Sequence, residues 1–170
     1  VISERMQSQF SMLNFTFPAD AQVQRIFESI LTPSLSEFSD DIKSIAGVMV
    51  RGTVHLYNFM IENFKPTPVK CHYLFNLRDI SKVIQGLLCA NANFIDSKDS
   101  MLRMWIHESS RVFSDRLISY DDRNKINGCM SEILSQFLEA DYDELISGSA
   151  SQTLGPIFVD FLSEPVGDGP

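Results

Sequence analysis

Apolar residues recur along most of this chain at the three- and four-residue spacing that lines one face of a helix. Val23, Ile26, Phe27, Ile30 and Leu31 make the first such stripe. Asp20 is placed to cap it, and Thr32-Pro33 is expected to end it, because a residue before proline is pushed out of helical geometry. A longer stripe runs through Ile42, Ile45, Ala46, Met49, Val50, Thr53, Leu56, Tyr57, Met60, Ile61 and Phe64. Ser39 and Asp40 are its start signals, and Pro66 and Pro68 forbid its continuation. Gly47 and Gly52 interrupt it at a cost of about 1 kcal/mol each relative to alanine, for which close helix packing is the usual reason.

Residues 71–75 form a short extended connector. Asn76-Leu77-Arg78-Asp79 then opens a helix with Ile80, Val83, Ile84, Leu87 and Leu88 on one face. Asn76 is a good N-cap, and Asp79 three residues later resembles a shortened capping box. A fourth helix is expected over residues 98–117, with Trp105, Ile106, Val112 and Phe113 inward and Asp99–Arg103 and Arg111–Asp115 as outer charge pairs. A fifth begins at Tyr120 and carries Ile126, Cys129, Met130, Ile133, Phe137 and Leu138. Two segments break the helical period. Residues 10–17 alternate imperfectly and are rich in aromatics, which fits a short strand. After a Gly/Ser-rich linker, residues 154–162 fit a second strand or extended arm. The expected fold is mainly α: a helical bundle with short flanking strands.

Composition narrows the function classes. With 170 residues, 44% hydrophobic and 21% charged, the chain can bury a core, and disorder over most of its length is not expected. No apolar run approaches the roughly 20 residues that span a bilayer, so no membrane partner is expected. The start, Val1-Ile2-Ser3-Glu4-Arg5, has no initiator methionine or secretory signal, and reads as cut from something longer. Three cysteines, Cys71, Cys89 and Cys129, are an odd number, better read as reduced, partly buried thiols of a cytosolic compartment than as a disulfide framework. A net charge of −8 argues against nucleic acid as a partner.

Candidate chemistry is sparse. Gly47, Gly52 and Thr53 have the glycine spacing of a phosphate-binding loop, but no lysine precedes the threonine and the intervening residues continue a helical stripe. Cys71-His72 has no second pair at a zinc spacing, and His55 and His107 sit beside apolar stripes, so no metal site is expected. No Gly-x-Ser-x-Gly occurs, and no catalytic residue is assigned within the chain. Phe27, Phe64, Trp105, Phe113 and Phe137 read as core. Arg78 stands apart. It occupies the first turn of a helix, where the dipole already favours an anion and an acidic residue would be usual. A guanidinium there suits a phosphate or carboxylate supplied from elsewhere; equally, it suits a surface arginine paired with Asp79 or another acid.

The run His72-Tyr73-Leu74-Phe75-Asn76-Leu77-Arg78-Asp79-Ile80-Ser81-Lys82-Val83-Ile84-Gln85-Gly86-Leu87-Leu88 resembles the lid segment of dynein heavy chains, in the third AAA+ module of the motor ring. Residues 105–117, Trp105-Ile106-His107-Glu108 through Arg111-Val112-Phe113-Ser114-Asp115-Arg116-Leu117, are similar to the helix that follows in that family. The asparagine-leucine-arginine-aspartate form looks more axonemal than cytoplasmic. The resemblance implies a division into the end of a large ATPase subdomain (1–18), a helical AAA+ lid (19–95), a helical extension (96–146), and a linker with the start of the next module (147–170). It implies that Arg78 is a sensor-2-like arginine directed at nucleotide phosphates. It also implies that Arg5 matches an arginine finger directed at the preceding module, although Met6, Ser8 and Gln9 depart from that motif. ATP or ADP with Mg²⁺ is then the ligand of the intact module, with none expected on this chain alone, which is not expected to hydrolyse ATP. The implied partners are neighbouring AAA+ modules, microtubules and dynein subunits, and the implied location is the cytoskeleton of a cilium or flagellum axoneme. The alternative is a helical protein-interaction module with no nucleotide role.

Overall fold

The longest apolar stripe forms the longest helix, and the other helices gather around it. The computed structural model describes residues 2–138, 140–147 and 156–158. Its elements are α1 (Glu4–Gln7), α2 (Asp20–Ser34), α3 (Asp40–Asn63), α4 (Leu77–Leu88), α5 (Lys98–Ser109), α6 (Tyr120–Phe137) and α7 (Tyr142–Ser147); a π-helical turn, Ser110–Ser114, prolongs α5. Helices α2, α4, α5 and α6 all pack on α3. Its residues Ile42, Met49, Val50, Leu56 and Met60 are fully buried there. This is the expected mainly α bundle.

Thr53 and Trp105 fasten the centre. The Thr53 hydroxyl donates to the Met49 carbonyl at 2.8 Å and accepts from Trp105 Nε1 at 2.9 Å, so both buried polar groups are satisfied. The glycine question is answered by the same contact. A Cβ on Gly52 would stand 2.9 Å from Ile133 Cγ2 and 3.5 Å from Trp105 Cζ2, so α3 meets α5 and α6 too closely for a side chain. At Gly86 a Cβ would fall 2.1 Å from the Glu108 carboxyl carbon, so it is the Glu108 side chain that lies across this glycine between α4 and α5.

The connector between α3 and α4 is held by buried polar contacts. Tyr73 is buried, donates its hydroxyl hydrogen to Asp122 Oδ2 at 3.0 Å, and accepts from the Ile118 amide at 3.2 Å. Lys70 pairs with the same carboxylate. The Lys70 hydrogen bond, helped by that of Tyr73, holds the Asp122 carboxyl below its ordinary 3.8 despite the opposing effect of burial. Because the folded value is the lower one, this contribution is complete above the unfolded carboxyl's value and fades as pH falls through the folded one. Asp122→Asn is therefore expected to lower stability at neutral pH and to flatten its loss below about pH 4, as acid titrations followed by circular dichroism would reveal.

Several expectations need correction. Residues 10–17 form no strand; Phe10, Met12, Leu13, Phe15 and Phe17 are all exposed, Phe15 at 88%. A strand needs a ladder partner, and no strand occurs among the described residues. The second expected strand, 154–162, lies mostly outside the described residues, and 156–158 within it are not extended into a ladder. Helix α2 continues through Pro33 to Ser34, since in its last turn proline forfeits one backbone bond, and the Leu35 amide still reaches the Leu31 carbonyl at 3.3 Å. Asp20 is not its cap. Ala19 takes that place, with Gln22 Oε1 accepting the Ala19 amide at 3.1 Å, while Asp20 accepts from Asn58 Nδ2 at 2.8 Å and ties α2 to α3.

Of the first stripe, Val23 and Leu31 are buried, but Ile26 and Ile30 stay exposed. Phe137 is likewise at the surface, edge-on to His55 with ring centroids 5.9 Å apart. The fourth helix does not run unbroken, because the π-helical turn shifts its register. Arg111 consequently pairs with Glu108 at 2.5 Å rather than with Asp115; upstream of the turn, Arg103 is drawn to the Leu145 carbonyl, to which it donates at 2.9 Å, rather than pairing with Asp99. Cys71 and Cys89 are free and exposed; only Cys129 is buried, and burial pushes its thiol up to about 11.

Candidate functional site

The first turn of α4 forms where Asn76, in extended geometry, can turn its side chain back on the helix start. Its Oδ1 accepts from the Arg78 amide at 2.9 Å, and Asp79 Oδ2 accepts from the Asn76 amide at 2.9 Å. This reciprocal cap fixes the backbone on both sides of Arg78. Asp79 is 2% exposed, and its remaining valence is taken by Arg116, which follows the π-helical turn.

Arg78 itself is exposed, and among the described residues its side chain makes no hydrogen bond or ion pair. The surface pairing with Asp79 does not form, because Arg116 occupies that carboxylate. A planar, permanently charged donor is thus presented at the positive end of a helix dipole. That arrangement attracts an anion and supplies two parallel N–H donors to a phosphate or carboxylate. Since Asn76 already satisfies the Arg78 amide, the guanidinium rather than that backbone group is the available donor.

Arg5 lies on α1, exposed and without a side-chain partner among the described residues. No hydrogen bond or ion pair joins α1 to α4 among them, so the two candidate arginines are not brought together. Neither Cys71 nor His72 belongs to a metal-competent group, as no cluster of three or more His, Cys, Asp or Glu side chains occurs among the described residues. His72 Nε2 instead lies 3.1 Å from the Arg116 carbonyl. A polar cavity of about 310 Å³ between α5 and α7 is walled by Lys98, Asp99, Arg103 and Asp141 and shares no residue with the Arg78 region. No helix of the described residues is long and apolar enough to cross a membrane.

Two residues here escaped sequence reasoning. Arg116 reaches Asp79 from 37 positions away, beyond any local pattern. His107 Nδ1 lies 3.1 Å from the Pro156 carbonyl and its ring lies 5.8 Å from that of Phe158, which docks residues 156–158 on α5. Its place beside an apolar stripe gave no sign of this contact.

Comparison with known proteins places the chain in a family. Residues 49–148 match the AAA+ lid domain, more than half of the chain. A mouse dynein axonemal heavy chain 2 is 46% identical over 165 residues, covering 97% of this chain and 4% of the relative. From Chlamydomonas reinhardtii, the dynein-1-beta heavy chain of the flagellar inner arm I1 complex is 35% identical over 164 residues, and the gamma chain of the flagellar outer arm 34% over 182. Each match covers 96% of this chain and 4% of that relative, so the chain corresponds to a small part of the proteins it resembles. An α4 that opens on a capped, exposed arginine lies inside the matched region, and the chain belongs to the AAA+ lid domain family, in the form carried by dynein heavy chains.

Proposed function

We propose that this chain is the helical lid of the third AAA+ module of an axonemal dynein motor ring, and that Arg78 senses the phosphates of a nucleotide held by that module's large subdomain. The observation that carries this reading is the unpaired, exposed guanidinium of Arg78 on a rigidly capped helix start, its natural acidic partner already engaged by Arg116. Residues 19–95 act as the lid, 96–146 as a helical extension, 1–18 as the end of the large subdomain, and 147–170 as the passage to the next module. ATP or ADP with Mg²⁺ is bound through a phosphate loop outside this chain. Arg78 stabilises negative charge on the terminal phosphates, and the rigid helices convert that local attraction into rotation of the lid. Arg5 serves the neighbouring module as an arginine finger. Through the whole heavy chain the lid contributes to microtubule-based motility in the axoneme of a cilium or flagellum.

The test is nucleotide affinity in a polypeptide that carries both this lid and the phosphate loop. Arg78→Ala is expected to weaken Mg·ATP binding about 10- to 100-fold, the worth of a hydrogen bond to a charged group. Unchanged affinity and turnover would reject the sensor role and favour a helical interaction module.

A further inference from the structure

Arg116 is built into the Arg78 cap more deeply than a surface ion pair requires. Its Nη2 pairs with Asp79 Oδ1, and its Nη1 lies 3.4 Å from Asp79 Oδ2 and 3.2 Å from the Leu74 carbonyl. The guanidinium carbon stands 5.5 Å over the ring of Phe75, and the Arg116 carbonyl lies 3.1 Å from His72 Nε2. One residue therefore grips the connector before α4 at residues 72, 74 and 75, and the third residue of α4 itself. The Asp79 carboxylate that it holds is the same one that accepts the Asn76 amide, with the Arg78 amide bound to Asn76 in turn.

Arg116 also sits directly behind an irregularity. The Asp115 amide bonds the Ser110 carbonyl five residues back at 3.0 Å, closing the π-helical turn. Such turns insert a residue into a helix and are frequent at functional sites. A continuous α-helix through residues 110–116 would rotate Arg116 by about 100° for that inserted residue and take it off Asp79. Ser109, at the junction, keeps a buried hydroxyl without a hydrogen-bond partner among the described residues.

We infer that Arg116 is a positioning residue for Arg78: through Asp79 and the Asn76 cap it sets the aim of the α4 guanidinium, and so links the register of the α5–α6 extension to phosphate sensing. This rests on the sensing role proposed for Arg78. Any motion of the extension that draws Arg116 from Asp79 loosens the turn carrying Arg78 without touching nucleotide.

The experiment is a cycle of Arg116→Lys, Arg78→Ala and the double variant in a heavy chain that contains this lid and its phosphate loop. Mg·ADP affinity is read by titration calorimetry, and folding is checked by thermal melting. Lysine keeps the charge but cannot hold Asp79 and Leu74 together. Arg116→Lys is expected to weaken Mg·ADP about three- to tenfold when Arg78 is present, and by less than about twofold when Arg78 is already alanine. Asp79→Asn, which loosens the same pair from the other end, should give the same pattern. Equal losses in both backgrounds, or no loss with Arg78 present, would overturn the positioning role while leaving sensing by Arg78 intact. If Arg78→Ala alone leaves Mg·ADP binding unchanged, the sensing role fails first and the positioning role with it.

Discussion

Replacing Trp105 by alanine is expected to cost about 3–5 kcal/mol, the largest effect of any single substitution proposed for this chain. Trp105, on α5, is fully buried against α3, touching the face that Gly52 leaves open. Its loss removes the largest fully buried side chain and leaves a cavity that the surrounding helices can close only by shifting inward. Thr53 loses one partner but keeps its bond to the Met49 carbonyl, so the orphaned-polar penalty stays small beside the packing loss. Trp105→Phe should recover much of the difference, since it refills most of the volume. Because Trp105 is the sole tryptophan, urea unfolding has to be followed by circular dichroism. The midpoint should fall while the slope stays constant. A loss under about 1 kcal/mol would mean that α5 is not anchored through this residue.

Asp79→Ala is expected to cost about 2–3 kcal/mol, although Asp79 is a single charged residue on a short helix. Two losses combine. The Asn76 amide loses its acceptor, a capping effect typically near 1 kcal/mol, and Arg116 loses its carboxylate. The second loss is smaller than the 3–5 kcal/mol of a fully buried pair, because the Arg116 side chain is 28% exposed and can reach water. Asp40 provides the contrast. It pairs with Lys43 at 3.0 Å, but its side chain is 98% exposed, so Asp40→Ala should cost less than about 1 kcal/mol. Thermal melting of the two variants side by side decides the matter: similar losses would mean that the Asp79–Arg116 pair is no more than surface electrostatics.

Much of the helical framework was legible in the sequence because it depends on local rules. The stripe from Ile42 to Phe64 and the proline pair after it set α3 almost to the residue, and Asn76 with Asp79 announced the start of α4. What failed depended on partners that a local pattern does not contain. Alternation over residues 10–17 says that two faces differ, but not that a second strand lies alongside. The Arg111–Asp115 pair was expected from ideal α spacing, which the π-helical turn removes between the two residues. The odd placement of Arg78 could be read directly, but that Asp79 is held by Arg116, far away in sequence, could not. The glycines tell the same story: periodicity marks Gly52 as a cost, and only the approach of Ile133 and Trp105 gives the reason.

Arg78 is proposed to face nucleotide phosphate across the boundary between lid and large subdomain. The most direct measurement is a high-resolution structure of the intact module with Mg·ATP or a slowly hydrolysed analogue bound. The Arg78 guanidinium is expected about 3 Å from a terminal phosphate oxygen, with the Asn76 cap and the Asp79–Arg116 pair still formed behind it. An Arg78 turned to solvent or bound to a carboxylate while nucleotide fills the site would contradict it.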